Sequence, residues 1–128
     1  MDVRRIALSL PEVTGGDDAL DFRVRNKGIA WSYRERVEGE SGRVVRPDVL
    51  VVRVASDQEK HALVAADGTK FFTTAHYNGY PAVLVRLDAV DTTELAELLT
   101  DAWRIQAPKR LIIGFDAARR SGQHLPGA

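Results

Sequence analysis

The side chains best suited to chemistry in this sequence lie in one short aromatic segment that contains His76, Tyr77, Asn78 and Tyr80. A histidine beside two tyrosines could act as a general acid or base, or could donate hydrogen bonds within a small pocket. The same residues could instead serve folding alone, with the imidazole bonded to backbone carbonyls. Asn78 and Gly79 form a turn signal, because glycine tolerates a positive φ. His76, Tyr77 and Tyr80 are therefore the candidate ligand pocket.

Other catalytic and metal sites find little support in the residue types. The sequence has no cysteine, which excludes disulfides, thiolate metal sites and cysteine nucleophiles. His61 and His124 have no partner at metal-ligand spacing. No serine lies in a nucleophile elbow. The paired carboxylates Asp17 and Asp18 lie in a polar loop, where we expect them to be solvated rather than catalytic. The glycine pairs are too short to cradle a phosphate. We therefore expect a protein that is not an enzyme and that uses no metal and no cofactor.

A second candidate site is a run of basic residues in the first half of the chain. The whole sequence carries 18 basic and 18 acidic residues, yet residues 23–53 carry 8 basic and 4 acidic ones. Alternation with apolar residues predicts that arginines share one side of a two-stranded ribbon, where they could contact phosphates. The candidate nucleic-acid-binding residues are Arg23, Arg25, Lys27, Arg34 and Arg36. The alternative is a solvated sheet face, and we expect no aromatic residue on the arginine-bearing side.

Changes in hydrophobic period divide the first half of the chain into elements that would position these residues. Apolar residues at helical spacing predict a first helix that ends at Pro11. A loop follows over residues 12–19. Period-two alternation then predicts a hairpin over residues 20–34, with a tight turn at residues 26–28, and a third strand over residues 49–54. Ile29, Trp31 and Tyr33 are predicted to share the apolar face that the helices cover, and the opposite face is predicted to carry basic and small residues.

The second half is predicted to place two capped helices around a pair of strands. Capping signals at Ser56 and Asp91 open the two helices, and the second helix carries a long apolar stripe. The remaining predicted elements are strands over residues 71–74 and 81–87 and a short last helix after Pro108.

This element order predicts a two-layer α+β fold. The arrangement is α-β(3)-α-β(2)-α, with an antiparallel sheet, helices on one face and an extra C-terminal helix. Residues 1–120 are expected to form one domain, and residues 121–128 a flexible tail. Met1 leads into charged residues without a signal peptide, and no segment is long enough to span a bilayer. We expect a cytoplasmic protein with no membrane partner.

Short motifs in a fixed order run along most of the chain. They are Ser-Leu-Pro-Glu-Val-Thr at 9–14, Phe-Phe at 71–72, His-Tyr-Asn-Gly-Tyr at 76–80, Glu-Leu-Ala-Glu-Leu-Leu at 94–99 and Asp-Ala-Trp-Arg at 101–104. In this order the chain resembles the MmcQ/YjbR family from about residue 6 to residue 110. Residues 37–46 have no counterpart in that resemblance.

The resemblance implies the same α-β(3)-α-β(2)-α arrangement, a double-wing fold similar to type III secretion chaperones. It also implies a DNA-binding role, which the family carries from its likeness to winged DNA binders, and it implies no catalytic residues. The leading hypothesis is a small domain that binds duplex DNA weakly through its basic face. The alternatives are a dimeric protein-interaction module of the chaperone kind and a small-ligand pocket at His76, Tyr77 and Tyr80.

Overall fold

A computed structural model of the chain describes residues 3–15, 20–39 and 41–122, and within these ranges it contains a six-stranded sheet and four α-helices. The predicted α+β class is confirmed. The helices are α1 (Val3–Leu8), α2 (Asp57–Ala66), α3 (Thr92–Gln106) and α4 (Lys109–Gly122). The strands are β1 (Val13–Gly15), β2 (Asp21–Val24), β3 (Lys27–Arg36), β4 (Arg43–Arg53), β5 (Phe71–Phe72) and β6 (Ala82–Arg86).

The sheet has the strand order β1-β2-β3-β4-β6-β5, and every neighbouring pair is antiparallel. Strand β1 lies within the region predicted as a loop, so it adds an edge strand to the predicted order. Helix α4 confirms the extra C-terminal helix and extends to Gly122, two residues into the predicted tail. Residues 123–128, with His124, and the loop residues Asp17 and Asp18 lie outside the described residues.

The helices pack against one face of the sheet. Buried side chains of α1 and α3 form one core with the sheet, and partly buried side chains of α2 and α4 pack against that core. The predicted caps are present: Ser56 Oγ accepts from the Glu59 N–H at 3.1 Å, and Asp91 and Glu94 form a reciprocal capping box. None of the described helices has both the length and the apolar composition needed to cross a bilayer.

Trp103 is the largest fully buried side chain among the described residues, and it joins three parts of the chain. It lies on α3, and its indole Nε1 donates to the carbonyl of Pro11 at 2.9 Å, just before β1. Its ring centroid is 4.9 Å from that of Phe115 on α4. One side chain therefore fixes the N-terminal turn, α3 and α4 relative to one another.

The opposite face of the sheet carries a second, smaller core. Val49, Val51, Ala82 and Leu84 are buried there, and Trp31 packs against them. The sequence predicted Trp31 on the helix side and a polar opposite face, and both predictions are wrong. A bulge between β2 and β3 explains the error: Phe22 pairs with Ala30 and Arg23 with Gly28, so Ile29 is an extra residue. Because of this residue, Ile29 and Ala30 are both fully buried and Trp31 faces the other way.

Strands β3 and β4 extend beyond their neighbours as a two-stranded ribbon. The outer residues 33–36 pair with residues 43–46, whereas β2 reaches only Trp31 and β6 pairs only with residues 49–53. A register shift after Ser32 separates this ribbon from the rest of the sheet. The sequence predicted only the inner half of β4, so the ribbon is longer than expected. We call residues 33–36 with 43–46 the arginine ribbon.

Candidate functional site

A groove of about 450 Å³ lies where the aromatic segment, residues 75–80, meets strands β2 and β3 and the arginine ribbon. This volume is within the range of small-molecule sites, about 300–1,000 Å³. The groove brings together residues from both candidate sites of the sequence, and we call it the aromatic groove. Its ring-bearing and charged lining residues are Asp21, Arg23, Trp31, Arg34, Arg43, His76, Tyr77 and Tyr80.

Three aromatic side chains form the apolar part of the groove. Trp31 Nε1 donates to the Tyr77 hydroxyl at 3.0 Å, which fixes both rings against the second core. Tyr80 meets Trp31 edge-on, with ring centroids 6.4 Å apart and planes at 76°. Tyr80 is nevertheless 46% exposed, so it offers part of its ring to solvent. The expectation that the arginine-bearing side lacks aromatic residues is therefore wrong.

A buried lysine holds the aromatic segment in place. Lys60 on α2 is 0% exposed, and its Nζ donates to the carbonyls of Tyr77 at 2.7 Å and Tyr80 at 2.8 Å. It also pairs with Asp57 at 2.7 Å. Sequence reasoning missed this residue. The available signal was its position three and four residues before the apolar Leu63 and Val64, which places a lysine on the inner face of α2.

The Lys60 ammonium lowers the pKa of the Asp57 carboxyl, and a weaker effect comes from His61. A carboxyl whose folded pKa lies below its unfolded value, about 4, stabilises the fold above that pH and loses this contribution as the pH falls.

Asp57→Asn should therefore be less stable than wild type at pH 7, with a difference in the free energy of unfolding that shrinks on acidification. Urea unfolding at neutral and acidic pH measures it. Asp88→Asn, at an exposed position, is the control, and a difference that stays constant with pH would contradict this account.

His76 is exposed, and its ring contacts an arginine and a tyrosine. Its Nδ1 lies 3.4 Å from Nη2 of Arg43, and its ring meets Tyr77 edge-on at 4.9 Å. A neutral imidazole nitrogen can accept a hydrogen bond from the guanidinium. Within the described residues His76 has no carboxylate partner, as a general base of the usual kind would have. The predicted bonding of the ring to backbone carbonyls is likewise not seen.

The structure separates the five candidate nucleic-acid-binding residues. Arg23 and Arg34 line the groove. Arg25 belongs to the turn between β2 and β3, where it and Asn26 have φ of 49° and 67°, as in a type I′ turn. The predicted alignment of Arg23 with Arg25 along one strand is therefore wrong. Lys27 and Arg36 are exposed at the two ends of β3.

Two of these arginines also have carboxylate partners. Arg25 Nε lies 2.6 Å from Glu12, and this contact lowers the pKa of the Glu12 carboxyl. Arg23 Nε lies 3.3 Å from Asp21. Both pairs are exposed, so solvent screens them and each contributes little to stability. Each pair nevertheless reduces the positive charge that this part of the surface presents to an anion.

One face of the arginine ribbon concentrates positive charge. Arg34 and Arg36 alternate along β3, and Arg43 on β4 is directly opposite Arg36, so the three side chains share a face. Like charges directly opposite each other destabilise a sheet. Among the described residues, Arg34 and Arg36 have no carboxylate partner. The other face differs, because Glu35 there pairs with Arg46 at 2.7 Å.

Comparison with known proteins gives a family and uncharacterised relatives. The family model described as YjbR matches residues 8–105. The chain is 41% identical over 120 residues to "Uncharacterized protein Rv2570" of Mycobacterium tuberculosis (strain ATCC 25618 / H37Rv). The same identity is found with "Uncharacterized protein Mb2600" of Mycobacterium bovis (strain ATCC BAA-935 / AF2122/97). Each alignment covers 89% of this chain and 92% of the relative. No solved structure matches the chain.

Proposed function

The chain belongs to the YjbR family, as its motifs predicted, and on this premise we propose that it is a non-enzymatic domain that binds single-stranded nucleic acid in the aromatic groove. The observation that supports this proposal is that the half-exposed Tyr80 lines the same groove as Arg34 and Arg43. Proteins that bind single strands combine a cationic path for the backbone with rings on which bases stack.

The arginine ribbon supplies the cationic path. Arg36 lies on the outer part of the ribbon, and Arg34 and Arg43 lie at the groove itself. Each guanidinium that neutralises a phosphate releases a counterion, and its planar donors can bond two phosphate oxygens. The direct pairing of Arg36 with Arg43 costs stability in the free protein, and a phosphate between them would remove that repulsion.

The exposed ring favours a single strand over a duplex. In a duplex the faces of the bases are stacked inside, so a protein reads only the base edges in the grooves. An exposed tyrosine would then have no base face to contact. In a single strand each base offers its face, and stacking on an aromatic side chain contributes about 1–3 kcal/mol per base. The duplex-binding hypothesis drawn from the sequence therefore becomes the competing outcome of the test.

Binding of a labelled single strand of about ten nucleotides, followed by fluorescence anisotropy during a salt titration, tests this proposal. The double substitution Arg34→Ala with Arg36→Ala should weaken binding and reduce the salt slope by about 1.4, because each lost phosphate contact removes about 0.7. Lys109→Ala with Arg110→Ala removes the same charge from α4, outside the groove, and should leave the slope unchanged. Tyr80→Ala should weaken binding about 5- to 150-fold, the range that stacking predicts.

The controls separate this account from a general attraction between charges. Tyr80→Phe keeps the ring and should bind as wild type does. If the double substitution at Arg34 and Arg36 and the one at Lys109 and Arg110 weaken binding equally, the attraction is nonspecific electrostatics, which would contradict a defined site. Tighter binding to a duplex of the same length would contradict the single-strand proposal and support the duplex hypothesis. Absence of binding at about 50 mM salt would remove nucleic acid from consideration.

A homodimeric protein-interaction module remains the second candidate. The exposed apolar side chain of Ile113 on α4, 60% accessible, favours it. Single exposed apolar residues are common on monomeric proteins, so this observation weighs less than the groove. Sedimentation at high protein concentration distinguishes the two, because a purely monomeric protein would count against the module.

A further inference from the structure

Asp21 is the one carboxylate among the described residues that line the groove, whose other charged side chains are arginines. It opens β2 and is the direct cross-strand partner of Trp31. A carboxylate in such a place repels the phosphates that the arginines attract. If the groove binds nucleic acid, Asp21 therefore needs a compensating contact with another part of the ligand.

The ion pair with Arg23 does not fully occupy this carboxylate. The two contacts measure 3.3 and 3.5 Å, longer than the 2.6 Å contact of Arg25 with Glu12. The side chains of Arg23 and Asp21 are 49% and 47% exposed, so solvent reaches both. An ionised carboxylate has about four acceptor sites. Acceptor capacity at Asp21 therefore remains for a ligand.

We propose that Asp21 makes the aromatic groove selective for guanine, an inference that rests on the single-strand function proposed above. A carboxylate only accepts hydrogen bonds, and guanine presents two adjacent donors on its Watson–Crick edge, N1–H and the N2 amino group. Adenine and cytosine place an acceptor beside their amino donor. Thymine and uracil place one N–H between two carbonyl acceptors. Among the common bases, only guanine can therefore satisfy both carboxylate oxygens without a repulsive contact.

The positions of the other groups suit a nucleotide bound in this way. Trp31, directly across from Asp21, and the half-exposed Tyr80 supply rings for the base. Arg34 and Arg43 come from the ribbon and supply donors for phosphate. Base edge, base face and phosphate each have a partner of matching chemistry within the same groove.

Single strands of about eight nucleotides, all thymine except for one central base, test the inference. The central base is guanine, hypoxanthine or adenine, and hypoxanthine keeps N1–H but lacks the 2-amino group. Wild type should bind the guanine strand about tenfold more tightly than the adenine strand, with hypoxanthine between them. Asp21→Asn should bind all three about equally. Asp48→Asn, a carboxylate outside the groove, should keep the wild-type ranking.

The outcomes separate this inference from the proposed function. If wild type binds all three strands equally, selectivity through Asp21 is wrong while single-strand binding stands. If none of the strands binds, the proposed function itself fails. A preference for guanine that persists in Asp21→Asn would assign selectivity to another residue and overturn the inference. If Asp21→Asn does not fold, the wild-type protein alone still tests the inference. Equal binding of the guanine and adenine strands by the wild type would refute it.

Discussion

Lys60→Met is expected to lower the free energy of unfolding by about 2–4 kcal/mol, although methionine matches most of the lysine's volume. The substitution removes the charged donor from the carbonyls of Tyr77 and Tyr80, and it removes the partner of Asp57. Both carbonyls keep one backbone hydrogen bond, from Tyr80 N–H and Ala82 N–H respectively, which limits the loss. Urea unfolding followed by circular dichroism measures the change.

The matched control is another lysine in an ion pair. Lys70 lies 2.6 Å from Glu94 and is 28% exposed, so solvent screens this pair and Lys70→Met should cost clearly less stability than Lys60→Met. Lys60→Met should also expose the aromatic segment, and cleavage by chymotrypsin after Tyr77 or Tyr80 under native conditions should accelerate. If the two lysine variants lose the same stability and resist the protease equally, the buried lysine does not hold the segment.

Trp103→Ala is expected to destabilise the fold by about 3–5 kcal/mol, the range for large aromatic truncations in a core. The substitution leaves a cavity between α3, α4 and the sheet, and it leaves the Pro11 carbonyl without its donor. Urea unfolding measures the loss.

Trp103→Phe separates the two contributions. Phenylalanine keeps much of the volume but cannot donate to Pro11, so a loss of about 1–2 kcal/mol is expected. If the alanine variant is no less stable than the phenylalanine variant, the surrounding helices must close over the cavity. Trp103 would then not be needed to fix the N-terminal turn, α3 and α4 relative to one another.

Elements with strong local signals were predictable from the sequence. Helices α2 and α3 were predicted from the capping residues Ser56 and Asp91 and, for α3, from the apolar stripe that includes Trp103. Capping and helical periodicity can be recognised in this way because they depend on neighbours in sequence. The order of motifs predicted the family, and the observed elements follow the order that the resemblance implied, with β1 as an added edge strand and α4 as the predicted extra helix. These features are set within a few residues along the chain.

The groove could be predicted only in parts. His76, Tyr77 and Tyr80 were recognised by their types, but their proximity to Arg34 depends on pairing between distant strands. The extra residue in β3, Ile29, reversed the predicted face of Trp31, because a bulge has no clear signature in one sequence. Lys60 was missed because its partners are backbone carbonyls, which any residue supplies.

The arginine ribbon contains a cross-strand pair that strand stability alone would not favour, Arg36 opposite Arg43. A glutamate in place of Arg36 would face Arg43 and turn repulsion into attraction, so the observed pair is a poorer choice for holding two strands together. Proteins break such local rules most often where another task requires it. We expect that an anion bound between Arg36 and Arg43 would make the outer part of the ribbon more stable than it is in the free protein.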